Sequence, residues 1–137
     1  MAQYQLVAGP FLATAVFCEE AVHEEGFLSL DRVIDQMLVT GMGPLMEPTQ
    51  LQLTLVVLFR SGGVRGRKTI YLTQVAPSQK SAPLFEFPVY FQGDERAAGV
   101  VAKVSFVVEE VGLHWFVVAL DGAPVTAIPL TVVYHGT

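Results

Sequence analysis

Leu51-Gln52-Leu53-Thr54-Leu55-Val56-Val57-Leu58-Phe59-Arg60 is the stretch on which the fold class turns. Leu51, Leu53, Leu55, Val57 and Phe59 alternate with Gln52, Thr54 and Arg60. Period two is the pattern of a strand with one buried face. Moving outward in both directions, the same grammar repeats: a β-rich run, then turn residues. The runs are Phe11 to Glu20, Phe27 to Leu38, Leu51 to Arg60, Lys68 to Ala76, Leu84 to Phe91, Gly99 to Glu110, Leu113 to Leu120 and Val125 to Tyr134. Between them lie His23-Glu24-Glu25-Gly26, a Gly/Pro/Met loop from Thr40 to Thr49, a Gly/Arg loop from Ser61 to Arg67, Gly93-Asp94-Glu95-Arg96 and Asp121-Gly122. The last pair is a strong hairpin signal. Pro88 and Pro129 place their strands at an edge or a bulge, because proline offers no ladder donor. Any helix would be a turn or two in the 40–50 or 77–83 loops. The expectation is an all-β single domain over residues 1–137: a two-sheet antiparallel β-sandwich of about eight strands, with a closed β-barrel as the alternative.

Composition narrows the function classes. The chain has 137 residues, 52% hydrophobic and 15% charged, where about 25% charged is usual. That excludes a disordered chain. A single cysteine, Cys18, excludes an internal disulfide framework. A net charge of -5 argues against nucleic acid as partner. The apolar stretch from Leu6 to Cys18 is too short for a membrane helix. No Lys or Arg precedes Arg32, so the basic start of a secretory signal is missing. The expected compartment is therefore cytoplasmic, with no membrane partner.

Charge density then bears on the surface. A folded monomer of this size exposes about 7,000 Å². Lys+Arg 8 and Asp+Glu 13 leave roughly one charge per 330 Å² of it. Some strands are apolar on both faces. Leu113, Trp115, Val117 and Ala119 share one side of their strand, and His114, Phe116, Val118 and Leu120 share the other. Val56 and Leu58 likewise add apolar bulk to the outer side of 51–60. Strands of this kind need a cover on each face, and a two-layer sandwich supplies one. The second cover is the N-terminal segment, the 40–50 loop or another subunit. Val56, Leu58, Phe116, Val118 and Leu120 are accordingly assigned to a protein interface.

Side chains with chemistry are sparse. Glu19, Glu20, His23, Glu24 and Glu25 offer oxygen and nitrogen donors for a cation, but without the spacing of a calcium loop; a solvated hairpin tip, its acidic residues keeping an edge soluble, is the better reading. Gly62-Gly63-Val64-Arg65-Gly66-Arg67-Lys68-Thr69 departs from a phosphate loop, since Arg67 separates Gly66 from Lys68 and no helix follows. Its Arg65, Arg67 and Lys68 would suit an acidic patch on a partner. His23, His114 and His135 lack a Gly-x-Ser-x-Gly elbow to serve, and Cys18 sits mid-strand like a small hydrophobe. His114 reads as a strand-end surface residue. Glu86, Asp94 and Glu95 would act as glycosidase acids only if a cleft gathered them. Phe85, Phe87, Tyr90 and Phe91 would make either a sugar platform or a buried face with one exposed tyrosine. No catalytic residue, metal site or cofactor is assigned.

Phe17-Cys18-Glu19-Glu20-Ala21 with Glu24-Glu25-Gly26-Phe27-Leu28-Ser29-Leu30-Asp31-Arg32-Val33-Ile34-Asp35 resembles the opening hairpin of a family of small bacterial proteins catalogued as a domain of unknown function. The Leu51-Leu53-Leu55 strand, Gly112 to Gly122 and Ile128 to Val133 extend the resemblance over nearly the whole chain. The 40–50 loop, longer and Met-containing, departs from it. The resemblance implies a compact β-sandwich and no assigned activity.

The functional expectation is a non-enzymatic interaction or structural module that self-associates or docks on a larger assembly. A homo-oligomer or a protein partner would cover the apolar strands. The alternative is a sandwich that binds a small ligand or carbohydrate through loop residues and Tyr90 or Trp115.

Overall fold

The computed structural model of the chain describes residues 9–24, 26–94 and 96–137. The described residues form nine strands: β1 (Phe11–Glu24), β2 (Phe27–Ile34), β3 (Gln36–Gly41), β4 (Thr49–Arg60), β5 (Arg65–Val75), β6 (Ser81–Gln92), β7 (Ala97–Val108), β8 (Gly112–Leu120) and β9 (Ala123–Gly136). They make two sheets, β2-β1-β4-β7 and β3-β9-β8-β5-β6. The fold is the expected all-β sandwich, and the two separate sheets set aside the closed barrel.

Two details differ from the sequence reading. The run Phe27 to Leu38 is two strands in different sheets, separated at Asp35. There the Asp35 carbonyl accepts the Thr131 amide at 3.0 Å, which hands the chain from β2 to the edge of β9. β3 then runs parallel to β9, so the sandwich is not purely antiparallel. Pro129 lies within β9, an inner strand, but just before the register where β3 begins at Gln36↔Thr131. Its missing N–H therefore costs no ladder bond.

The core lies between the sheets. Leu51, Leu53, Leu55, Val57 and Phe59 of β4 all point into it, as their alternation requires. They meet Ile70 and Leu72 of β5 and Phe116, Val118 and Leu120 of β8. At its centre, the Phe116 ring lies 4.9 Å from Phe17 and 4.8 Å from Phe106, both tilted or edge-on. Such aromatic pairs add roughly 0.5–1.5 kcal/mol each beyond area burial.

The β8–β9 hairpin turns at Asp121-Gly122, where φ is 49° and 90°. Positive φ at both central residues is the type I′ geometry that matches strand twist. The Asp121 carboxylate accepts the Thr69 amide at 2.8 Å and lies 3.4 Å from Lys68 Nζ. These contacts, the Thr69 hydrogen bond first, hold its pKa below the ordinary carboxylate value.

Candidate functional site

The two outer faces of the sandwich have different covers. On the four-stranded sheet, β1 and β2 pair regularly through Phe17↔Ile34 and Cys18↔Val33, then resume at Glu20↔Asp31. Between these pairs Arg32 takes a left-handed φ of 58°. That conformation is costly for a residue with a Cβ, and it bends the hairpin. Thr54 Oγ1, on the outer side of β4, donates to the Glu19 carbonyl at 2.9 Å and ties down the bend. Beyond it, Ala21 and Val22 line a cavity with Thr54, Val101 and Lys103. His23 at the far end lines another with Leu58 and Gly99. The distal hairpin thus lies across the outside of its own sheet. Cys18 and Val56 are fully buried, yet neither belongs to the inter-sheet core. Burial first, and then the nearby Asp31 charge, push the Cys18 thiol pKa up.

The assignment of Val56 and Leu58 to a protein interface is therefore corrected. Val56 has no accessible surface and Leu58 is half-buried, because the chain's own hairpin supplies the cover that a partner was expected to provide.

Phe116, Val118 and Leu120 need the same correction. Register puts them inside: Phe116 pairs with Gln74 and Ile128, Val118 with Leu72, and Leu120 with Ile70. All three are core residues. The opposite side of β8 is the one that faces out. Leu113 is 41% exposed, Trp115 is 39% exposed, and Val117 and Ala119 are half-buried. Across the sheet, Trp115 pairs with Pro129 and Val75, and Val117 with Ala127 and Thr73. On β3, Leu38 opposite Val133 extends the apolar surface to the sheet edge at 61% exposure. Among the described residues no charged side chain occupies the Trp115 and Val117 rows; Glu86 enters in the next row, across Tyr71 from Ala119, and Arg67 lies further along β5. Five strands and nine residues of β8 span roughly 19 by 30 Å, about 600 Å² in projection. One side of a standard protein interface is about 800 Å² of accessible surface.

A second feature sits at the open side of the sandwich. His114, expected at the surface, is buried. Its Nε2 lies 2.9 Å from the Glu110 carbonyl, and its Nδ1 lies 3.4 Å from Gln74 Nε2. A carbonyl only accepts, so Nε2 carries the hydrogen and Nδ1 accepts from Gln74. Gln74 also donates to the Val107 carbonyl of β7 at 3.2 Å, linking the two sheets. Both His114 nitrogens are therefore engaged within the chain. Gln74 was missed from sequence. Its one signal was an amide on the same alternating face as Ile70 and Leu72.

The remaining candidates are dispersed. Glu19 pairs with Arg32 at 3.7 Å on the exposed surface. Glu20, His23 and Glu24 stand exposed along β1, and Glu25 lies outside the described residues. Among the described residues no three His, Cys, Asp or Glu side chains form a metal-holding group. Arg65 bonds Asp94 at 2.9 Å, and Lys68 approaches Asp121 at 3.4 Å, so these two cations of the basic loop have partners within the chain. Glu86 is exposed on the sheet face, away from the Arg65–Asp94 pair, and Glu95 lies outside the described residues. Phe85 and Phe87 pack against the core and Phe91 is in it, which leaves Tyr90 exposed. His135 is exposed near the end of β9. No described helix is long and apolar enough to cross a membrane.

No family model and no curated protein matches the chain. The fold is similar to the structure of Pseudomonas fluorescens alkylpurine DNA glycosylase AlkC bound to DNA containing an abasic site analog, at 12% identity and a TM-score of 0.31. The match covers 69% of this chain and 27% of that chain. That neighbour's structure contains DNA, and the expectation of no nucleic-acid partner, read from net charge alone, is not carried forward. The likeness extends no further: it assigns this chain neither DNA nor a glycosylase reaction.

Proposed function

We propose that the chain is a non-enzymatic interaction module that docks through the outer face of its five-stranded sheet. The observation that carries this reading is the uncharged row Pro129–Trp115–Val75, bare on a sandwich whose other greasy outer face is covered from within. An exposed aromatic amid apolar neighbours is the usual centre of a protein contact. The occupant argued for is a second copy. The Trp115 and Val117 rows carry no charge and would stack on a second copy without like charges opposed, and the area of the whole sheet face approaches one side of a standard interface. A cytoplasmic setting is part of the same reading, in keeping with one free, buried cysteine. Trp115, opposite Val75, and Tyr90, opposite Arg67 roughly 26 Å further along β5, do not form one aromatic platform, so a sugar would stack on one of them alone.

Solution mass tests the proposal. Light scattering across a concentration series should give a dimer mass that Trp115→Glu converts to monomer, with the β signal in circular dichroism unchanged. A wild-type monomer at the highest concentration, or a Trp115→Glu dimer, contradicts it.

A further inference from the structure

We infer that the free edge of β7 accepts an extended peptide segment of a partner protein as an added strand. This surface is separate from the Trp115 face. β7 pairs with β4 over twelve consecutive positions, Ala97↔Arg60 through Val108↔Thr49, without a register shift. Its other side is a sheet edge. The Arg96 carbonyl, on the β4 side, accepts the Ser61 amide at 2.9 Å. Backbone polar groups alternate sides along a strand, so Ala98, Val100, Ala102 and Val104 also turn theirs to β4. Val101, Lys103 and Ser105 turn theirs away. Val107, next in that series, has its carbonyl bonded to Gln74.

The edges of the sandwich are not alike. β6 carries Pro83 and Pro88, β3 is six residues long, and β2 is kinked at left-handed Arg32. Prolines, shortness and bends are the usual guards against strand addition. β7 has no proline and one charge, Lys103. Only an extended backbone matches a row of alternating donors and acceptors.

The edge is also recessed. Near its start, Ala97 to Val101 line a cavity of about 460 Å³ with His23 on one wall and Pro88 to Tyr90 on the other. Near its end, Phe106 and Val107 line one of about 410 Å³ with Ala82 and Leu84 and with the charged Lys80, Glu109 and Glu110. A trough of this shape takes a single strand more readily than the edge of a second whole sheet. The apolar part of that cavity, beside Ala82, Leu84 and Phe106, suits one apolar side chain from that strand. Lys103 is exposed and has no ion pair with a described residue, which favours an acidic residue opposite it. The partner chemistry is therefore an extended segment with alternating apolar side chains and a central carboxylate.

A short capped peptide of alternating threonine and valine with one central glutamate is the probe. Amide exchange of the full chain, read with and without the peptide, should slow on the order of tenfold at Val101, Lys103 and Ser105. Ser105→Pro removes one outward donor and no β4 bond, so it should weaken binding at least about tenfold while the fold persists. If that variant fails to fold, Lys103→Glu gives the second arm: it should lose the glutamate peptide and prefer a lysine-centred one. Trp115→Glu should bind the peptide as wild type does, which separates this site from the docking face. Protection at another edge, no binding, or undiminished binding by folded Ser105→Pro overturns the inference. Protection that rises with protein concentration alone also overturns it, because a second copy would then occupy the edge.

Discussion

On the four-stranded sheet, Cys18 and Val56 point outward and are fully buried; on the five-stranded sheet, Trp115 points outward and stays 39% exposed. Both faces begin with more apolar surface than a two-layer sandwich hides. The first is resolved within the chain, by a hairpin bent at Arg32 and held through Thr54 and Glu19. The second has no such flap among the described residues, and residues 1–8, the start of the N-terminal segment considered as a cover, lie outside them. Its nearest hairpin, β8–β9, is closed by a tight Asp-Gly turn that leaves no strand to fold back. The difference shows that apolar strand faces do not by themselves demand a partner. What matters is whether the chain spends a hairpin on them. Each face also carries a unique probe, the single cysteine on one and the single tryptophan on the other.

The largest effect should come from exchanging inside for outside on β8. Phe116→Ala removes a ring from the aromatic centre of the core and should cost about 3–5 kcal/mol in chemical denaturation. Trp115→Ala, one residue away, should cost about 1 kcal/mol or less in the monomer. Equal costs would mean that the two sides of β8 are assigned wrongly.

That assignment was also the part of the fold least legible in the sequence. Leu51 to Arg60 was readable because its polar residues fall on one side. On β8 both sides are apolar, and His114 made the even side look like the outer one. His114 is inside because Gln74 and the Glu110 carbonyl satisfy it, partners that are distant or invisible to local alternation. The break at Asp35 was hidden for a related reason. Phe27 to Leu38 reads as one β-rich run in which Asp35 alone does not mark a boundary, and the tertiary bond from Thr131 divides it there. The apolar excess was readable, and so was the need for a second cover. Which face received the chain's own hairpin was not, because the bend depends on one left-handed residue that no local motif announces.

Smaller effects should follow from loosening the covered face. Arg32→Val places a β-branched residue in a left-handed conformation and should cost about 1–2 kcal/mol. Because the loss is at the bend, Cys18 alkylation should accelerate before global unfolding begins. Thr54→Val removes the tie to the Glu19 carbonyl and should cost about 1 kcal/mol, with a lesser acceleration. In the wild type the thiol is buried and held protonated, so labelling should be slow. Fast labelling of native wild type would show that the hairpin does not cover this face.

The smallest predicted effect concerns the tight turn that leaves the other face bare. The Asp121 pKa is lower folded than unfolded. Its contribution to stability is therefore present above the unfolded carboxylate pKa and fades as pH falls through the folded one. The Tm advantage of wild type over Asp121→Asn should be present at neutral pH and vanish in acid. An advantage that persists unchanged in acid would show that the turn does not depend on the ionised carboxylate.

Trp115 fluorescence reports whether a second copy covers this face, because no other tryptophan contributes. Across a dilution series monitored in parallel by light scattering, emission should be blue-shifted and weakly quenched by acrylamide at high concentration. Both should revert to an exposed indole as the mass falls to that of one chain. Emission that stays red and fully quenchable at every concentration, with the mass of a single chain throughout, would contradict cover by a second copy.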